Sequence, residues 1–244
     1  DTMFNLGSHY QKTEINYDLM KKYYLMAIEL GNRESMNNLG EYYQYIEKDY
    51  GQMKKYNLMA IEFGDSDSMY NLGLYDDTIE KDCELMKKYY LMAIELGNSE
   101  AMNNLGFYYQ NIEKDYGLMK KYYLMAIELG DSNAMFNLGN HYQYVEINHN
   151  EMRKYYSMAV ELEDSYAMCN LGLYYQKIEK DYILMKKYYL MAIELGNLDA
   201  MCNLGFYYQK IEKDYGLMKK YYLMAIELGD SDSMKNLGLY YQKI

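Results

Sequence analysis

The chain contains no proline and no tryptophan, only three histidines and three cysteines, and no long apolar run. A chain with neither proline nor tryptophan that is nonetheless half hydrophobic, with 35 Tyr and 22 Met, lacks the composition of a disordered segment. Its uninterrupted apolar stretches, such as Tyr23 to Ile28, fall far short of the roughly 20 residues that cross a bilayer, so no membrane insertion is expected. Cys83, Cys169 and Cys202 form an odd set without close spacing, and no Asn-x-Ser/Thr sequon occurs. Both absences fit a reducing, unglycosylated compartment and predict a cytoplasmic location. Positive charge is in deficit as well: the net charge is -11 and the pI about 4.8, which argues against a nucleic-acid partner, since phosphate recognition needs clustered cations.

What is present is a period. Stepping by 33 residues, a Leu-Gly pair recurs at Leu6-Gly7, Leu39-Gly40, Leu72-Gly73, Leu105-Gly106, Leu138-Gly139, Leu171-Gly172, Leu204-Gly205 and Leu237-Gly238 without a gap. A fixed period of this length is the signature of a repeat array, here seven full units and half of an eighth, read as a single domain over residues 1–244.

The unit Ala101 to Asn133 shows the plan. An Asn or Asp at 32, 65, 98, 131, 164, 197 and 230 stands where a first helix needs a side-chain acceptor for its free amides. Met102, Leu105, Gly106 and Tyr109 follow at i, i+3, i+4 and i+7 and predict one buried face. A second cap at 16, 49, 82, 115, 148, 181 and 214 opens a second helix, whose Met119, Tyr122, Tyr123, Ala126 and Leu129 share a face. That helix ends at a glycine in every unit except the fifth, which has Glu163. Short loops make consecutive helices antiparallel, so the spacing predicts an all-α, right-handed α-solenoid of about fifteen helices.

The order of residues inside the unit resembles the Sel1-like repeat, a relative of the tetratricopeptide repeat, through Ala101, Leu105, Gly106 and Tyr109 in the first helix and Tyr122, Tyr123, Ala126 and Gly130 in the second. It departs from that pattern in the inter-helix segment Gln110 to Lys114, which is short and has no glycine, and in the apolar Leu124 and Met125. The resemblance implies a non-enzymatic scaffold that holds a protein or peptide, with the first helices lining a concave face.

On that expectation the groove carries an asparagine ladder, Asn38, Asn71, Asn104, Asn137, Asn170 and Asn203, with Asn5 and Asn236 continuing the series. Carboxamides supply both donor and acceptor and suit the backbone of an extended peptide, although the same residues serve equally well bonded to a neighbouring helix. Phe107, Tyr108, His141, Leu173 and Phe206 are read as outward neighbours of the ladder and so as partner-binding candidates. A second outward strip is expected at Phe4, Asn37, Tyr70, Asn103, Phe136, Cys169, Cys202 and Lys235, and the Lys22 to Lys220 series reads as a solvated stripe. Leu124 and Met125 are either buried between repeats or form a second surface through which the chain self-associates as a homo-oligomer, the alternative function.

No residue pattern points to catalysis, cofactor or metal. His9, His141 and His149 have no Cys or carboxylate partners at ligand spacing, and no nucleophile–base pair or phosphate loop stands out. The third unit reads Tyr75-Asp76-Asp77 where others read Tyr-Tyr-Gln, an acidic departure in which Asp76 replaces a core-facing Tyr. The uncapped ends suggest a piece of a longer array, and the bias toward Tyr, Asn, Lys and Ile suggests an AT-rich genome, such as that of a large DNA virus or a protist.

Overall fold

The structure, a computed structural model, describes residues 2–242, and among them it holds fifteen α-helices and no strand. The helices are α1 (Thr2–Lys12), α2 (Tyr17–Glu29), α3 (Arg33–Tyr42), α4 (Tyr50–Glu62), α5 (Ser66–Tyr75), α6 (Cys83–Glu95), α7 (Ser99–Tyr108), α8 (Tyr116–Glu128), α9 (Ser132–Tyr144), α10 (His149–Glu161), α11 (Ser165–Tyr174), α12 (Tyr182–Glu194), α13 (Leu198–Tyr207), α14 (Tyr215–Glu227) and α15 (Ser231–Tyr241). The end of the last expected helix, Lys243 and Ile244, lies outside the described residues. Contacts divide the chain into two compact units, Asp1–Asp131 and Ser132–Ile244, with the division at a junction between repeats. In each unit, successive helices pack pairwise as the solenoid class requires, odd-numbered helix on even.

The helix starts follow the predicted caps. Asn32 Oδ1 accepts from Ser35 N at 2.8 Å, Asn98 Oδ1 from Ala101 N at 2.8 Å, and Asp115 Oδ1 from Leu118 N at 2.9 Å. The second helices end where a residue turns left-handed. Gly130 does so at φ 82°, and Glu163 takes the same turn at φ 60° despite its Cβ. The mid-helix glycine is a contact surface: a Cβ on Gly106 would stand 2.7 Å from Cδ1 of Tyr123, a ring with no solvent exposure. Helix pairs therefore close on a glycine–tyrosine contact, and the cost of about 1 kcal/mol for glycine inside a helix is offset by burial of a whole ring.

Two expectations need correction. The segment after the first helix is not a plain loop in five of the seven full units. It continues as a π turn, at Tyr43–Glu47, Asp76–Glu80, Tyr109–Glu113, Tyr175–Glu179 and Tyr208–Glu212. The chain then reverses on a left-handed lysine, Lys48, Lys81, Lys114, Lys180 or Lys213, while Ile15 and Ile147 serve in the first and fifth units. The amide of the next cap reaches back six residues to close the turn, as Asp82 N does to Asp76 O at 3.0 Å. The second correction concerns Leu129, which is 55% exposed rather than core. It falls in the C-cap turn, where φ/ψ leave the helix and the wheel no longer predicts direction.

Of the rest of the predicted column, Met102, Leu105, Met119, Tyr122, Tyr123 and Ala126 are buried and Tyr109 is half-buried.

Candidate functional site

The asparagine ladder lies at the seam between repeats. Asn38 Nδ2 donates to the Tyr24 hydroxyl at 3.0 Å, Asn104 Nδ2 to Tyr90 at 3.3 Å, and Asn170 Nδ2 to Tyr156 at 3.1 Å. In each case the amide belongs to one repeat and the phenol to the repeat before it. The phenol itself donates onward to a glutamine of its own repeat, Tyr24 to Gln11 at 2.5 Å and Tyr123 to Gln110 at 2.8 Å. The motif is a chain of Asn, Tyr and Gln that joins neighbouring hairpins through a buried hydroxyl. Burial pushes the Tyr24 phenol up, with the Asn38 and Ser8 side chains opposing. Asn203 instead points its amide at Cys169 Sγ, 3.8 Å away, and Asn71 is buried.

Tyr108 and His141 do not line a groove. Both are buried, His141 completely, so their outward placement is corrected. A wheel drawn on one repeat omits the repeat before it. Tyr42, the Tyr108 equivalent, is covered by Tyr17 of the preceding hairpin at 5.1 Å between ring centroids and by Lys21 over its face at 5.4 Å. Its hydroxyl donates to Glu47 at 2.7 Å, a carboxylate that also accepts from Lys21 at 2.7 Å. His141 makes the corresponding contact, Nε2 to Glu146 at 3.0 Å. The Lys21 bond, seconded by the tyrosine, holds the Glu47 carboxyl below its ordinary value, while burial and the glutamate push Tyr42 up to about 12.

The second strip is likewise partly interior. Asn37 and Cys169 are buried, and Asn37 Nδ2 donates to Asp65 at 3.0 Å. Nor is the lysine stripe simply solvated, since Lys55, Lys121 and Lys154 lie over the rings of Tyr56, Tyr122 and Tyr155 at 4.7–5.0 Å.

Phe107 and Phe206 are exposed, and Leu173 is half-buried, as expected of an outward strip. Leu173 and Phe206 open onto recesses that repeat along the chain. One of about 400 Å³ is lined by Tyr144, Ile147, His149, Leu173 and Ile178. Another of about 420 Å³ is lined by Phe206, Lys210, Tyr215, Leu239 and Tyr240. A third of about 310 Å³ holds the equivalent Tyr45, Tyr50, Leu74 and Ile79 in the first compact unit. Each lies between the inter-helix turn of one repeat and the first helix of the next. The sequence reading missed the turn residues and the aromatic that opens the second helix. Their signal was available: Tyr17, Tyr50, Tyr116, Tyr182 and Tyr215, with His149, stand at one register position.

Leu124 is 41% exposed and Met125 half-buried. Burial pushes the Cys202 thiol up to about 11 and its hydrogen atom goes to Asp230 at 3.1 Å, an arrangement that keeps sulfur protonated and weakly nucleophilic. Among the described residues no three His, Cys, Asp or Glu side chains come together as a metal site, and no helix is long and apolar enough to cross a membrane.

The sequence profile of the Sel1 repeat matches residues 1–32, 33–52, 66–98, 99–131, 132–164, 165–197 and 198–230. Among solved structures, a Sel1 repeat protein from Oxalobacter formigenes is 25% identical, with a TM-score of 0.73 over 91% of this chain and 98% of its own. A protective antigen of uropathogenic Escherichia coli with an SLR fold is 24% identical, with a TM-score of 0.74 over 99% of this chain. The present chain spans 56% of that antigen's length. An immunity protein of Pseudomonas aeruginosa is 23% identical, with a TM-score of 0.53 over 74% of each chain. No similar sequence was found among curated proteins.

Proposed function

This chain belongs to the Sel1 repeat family, and on that premise we propose that it is a non-enzymatic scaffold that binds a peptide or protein partner along the face of its first helices. Proteins of this family generally act as interaction scaffolds and are generally not enzymes. The observation that carries the reading here is the recurrence of one recess at equivalent places, each with an exposed or half-buried leucine at its rim, Leu74, Leu173 or Leu239, joined in the last by Phe206. A row of such recesses fits a partner that presents one apolar side chain per repeat, and the variation of the rim residue among Leu, Phe, Asn, Ser and Glu suits a non-repetitive partner. The ladder then acts from below. The amide hydrogens of Asn104 go to the Tyr70 and Tyr90 phenols and those of Asn170 to the Tyr156 phenol and the Asn140 carbonyl, so a partner meets these two chiefly through carbonyl oxygens. The 33-residue register passes residue 131 without a gap, which supports one continuous array serving as a single binding module.

Selection of peptides from a displayed library on the purified chain tests this. Leu173→Glu and Phe206→Glu are expected to abolish binding of the selected peptides and Leu124→Glu to leave it intact. The opposite pattern overturns the reading in favour of the second one. That second reading, self-association, is favoured by one observation: Leu91, Leu124 and Leu190 occupy one register position of α6, α8 and α12, each 41% exposed, with Ser157 at that position of α10. It requires a concentration-dependent oligomer in sedimentation that Leu124→Glu dissolves.

A further inference from the structure

The first helices of the second to fourth repeats, all within the first compact unit, bring acids and aromatic rings together beside the recess at Leu74. Glu41 stands one helical turn before Tyr45, which lines that recess with Leu74. On α5, Asp67, Asn71 and Leu74 follow at i, i+4 and i+7 and share one face. Bonds between repeats fix these columns against one another. Asn37 Nδ2 donates to Asp65 at 3.0 Å, Asn98 Nδ2 to Asp67 at 3.1 Å and Asn104 Nδ2 to the Tyr70 hydroxyl at 3.3 Å. The buried Asn71 amide acts on the Glu41 carboxyl, so Glu41 is set against α5 one turn from Asp67.

The acids of this corner are not neutralised by the chain. The outward position in the first turn is Glu34, Asp67 and Glu100 in these three repeats, whereas the next two have Asn133 and Tyr166 there. Arg33 is engaged with Asp65 at 3.2 Å, and among the described residues Glu41, Asp67 and Glu100 have no ion-pair partner. Burial pushes the Glu41 and Asp67 carboxyls up, and like charges add to it, Asp67 and Asp65 acting on Glu41 and Asp65 and Glu100 on Asp67. The one cation acting on Glu41, Lys12, is the weakest influence on it. Ring faces lie alongside: Tyr45 is 56% exposed and Tyr70 half-buried. Lysines lie over Tyr56 and Tyr122, but among the described residues no cation lies over Tyr45 or Tyr70.

We propose that this corner seats an arginine of the partner, its guanidinium held by Glu41 and Asp67 and stacked on Tyr45, while an apolar side chain of the same segment enters the recess at Leu74. The inference rests on the reading of the recesses as a peptide-binding row and adds a charge to it. The sign follows from complementarity: carboxylates that oppose one another in a half-buried place are stabilised by a cation, and the chain sets none there. The chemical class follows from the pairing of carboxylates with a ring face, since a guanidinium bonds carboxylates through its planar fork and stacks on aromatic rings, which an ammonium does less well. The reach agrees. Glu41 lies one turn, about 5 Å, from Tyr45, and an extended segment advances about 3.3 Å per residue, so an arginine next to the recess anchor or two residues from it meets the acids. The same acids do not converge as a metal-ion site, among the described residues. The net charge of -11 favours the approach of a basic segment over an acidic one.

The test is titration of the intact chain with the tripeptide acetyl-Leu-Arg-Leu-amide, beside the same peptide with citrulline, which keeps the shape of arginine without its charge. Binding is followed through backbone amide shifts. Saturable shifts in α3, the π turn after it and α5 are expected, with the citrulline peptide at least about tenfold weaker, the value of one charge-assisted hydrogen bond. That difference should shrink as salt is raised. Glu41→Gln combined with Asp67→Asn is expected to bring the arginine peptide down to the citrulline level and to leave the citrulline peptide unchanged. Both amides keep an acceptor and remove a charge that burial disfavours, so hydrogen exchange in α3 to α5 should show the fold intact. Equal binding of the two peptides overturns the proposal, as do arginine-selective shifts that survive the double substitution or fall elsewhere on the chain, and so does the absence of shifts from either peptide. The reading of the recesses fails separately, when peptides selected on the chain ignore Leu173→Glu and Phe206→Glu.

Discussion

The second and third repeats and the sixth and seventh follow one plan, and among their buried differences two cost the early pair an aromatic ring. Where the later pair has Tyr189 and Tyr222, the second repeat has Asn57; where the later pair has Tyr175 and Tyr208, the third has Asp76, only 3% exposed. Tyr175 and Tyr208 stack on Tyr188 and Tyr221 with rings nearly parallel, 1° and 6°, at 5.6 and 5.7 Å. Asp76 stands near Tyr89 instead: burial raises the pKa of both, and the Asp76 charge raises that of Tyr89 further. The sixth and seventh repeats share one continuous apolar cluster from Met168 to Leu237, whereas Met53, Leu72 and Tyr75 form a small cluster of their own. The difference teaches that the period tolerates loss of a ring or a stack: neighbours on either side hold the hairpins apart, because stability in such arrays is a sum of units and interfaces.

The sharpest way to test the contrast is at the shared leucine. Leu204→Ala is expected to destabilise its repeat by about 2–5 kcal/mol, and Leu72→Ala to fall at the low end of that range, since its surroundings are less apolar and its cavity admits water more readily. Hydrogen exchange resolved by repeat measures both, and equal losses would remove the contrast. Next in size, Asn57→Tyr should stabilise the second repeat by about 2 kcal/mol, from ring burial and two regained hydrogen bonds, read as slower exchange of α4 and α5 amides. A loss of protection there would mean that the site had closed around asparagine.

A smaller effect should be equal in the two regions. Lys81 and Lys213 both turn left-handed, at φ 60° and 56°, a conformation that costs a side chain of this kind on the order of 1 kcal/mol. Replacing either by glycine should stabilise by about that amount in urea unfolding. Unequal gains would place part of the regional difference in the backbone rather than in the buried rings.

The smallest effect is a pH response added in the second and third repeats. Glu212 is held below its ordinary value of 4.5 by Lys186, aided by Tyr207, and Glu47 and Glu80 of the earlier repeats are held down in the same way by Lys21 and by Tyr75 with Lys54. These contributions are present above the unfolded pKa and are lost as pH falls through the folded one. Glu41, Asp67 and Asp76 are raised by burial above 4.5, 3.8 and 3.8 respectively. The folded chain takes up those protons at higher pH than the unfolded chain does, so the three oppose folding near neutrality, and acidification toward their ordinary values relieves them. Mild acid should therefore protect the second and third repeats relative to the seventh, and Asp76→Asn should remove part of that gain, both visible in exchange measured from neutral pH downward.

Much of this was legible in the residues. The caps, the glycine ends, the helix pairing and the buried methionine, leucine and alanine columns all follow from interactions within one helix or across one short turn. Asp76 was recognised as core-facing for the same reason. The candidate site was less legible. Phe107, Phe206 and Leu173 stand where a helical wheel puts them, but Tyr108 and His141 do not, and the recess residues Tyr50 and His149 were passed over because they belong to a helix start rather than to a periodic face.

By itself the sequence determined the period, the boundaries of the hairpins and the Sel1 repeat membership, because each depends on residues a few positions apart and on their recurrence every 33. Only the tertiary structure decided what the asparagines hold, which aromatics are covered and where the recesses open. Those outcomes rest on contacts such as Asn38 with Tyr24, 14 residues apart, and Lys21 with Glu47, 26 apart, in which one repeat completes the surface of the next. A pattern read along one helix contains no information about the neighbour that covers it, and in a chain built of near-identical units that neighbour determines which side chains are left for a partner.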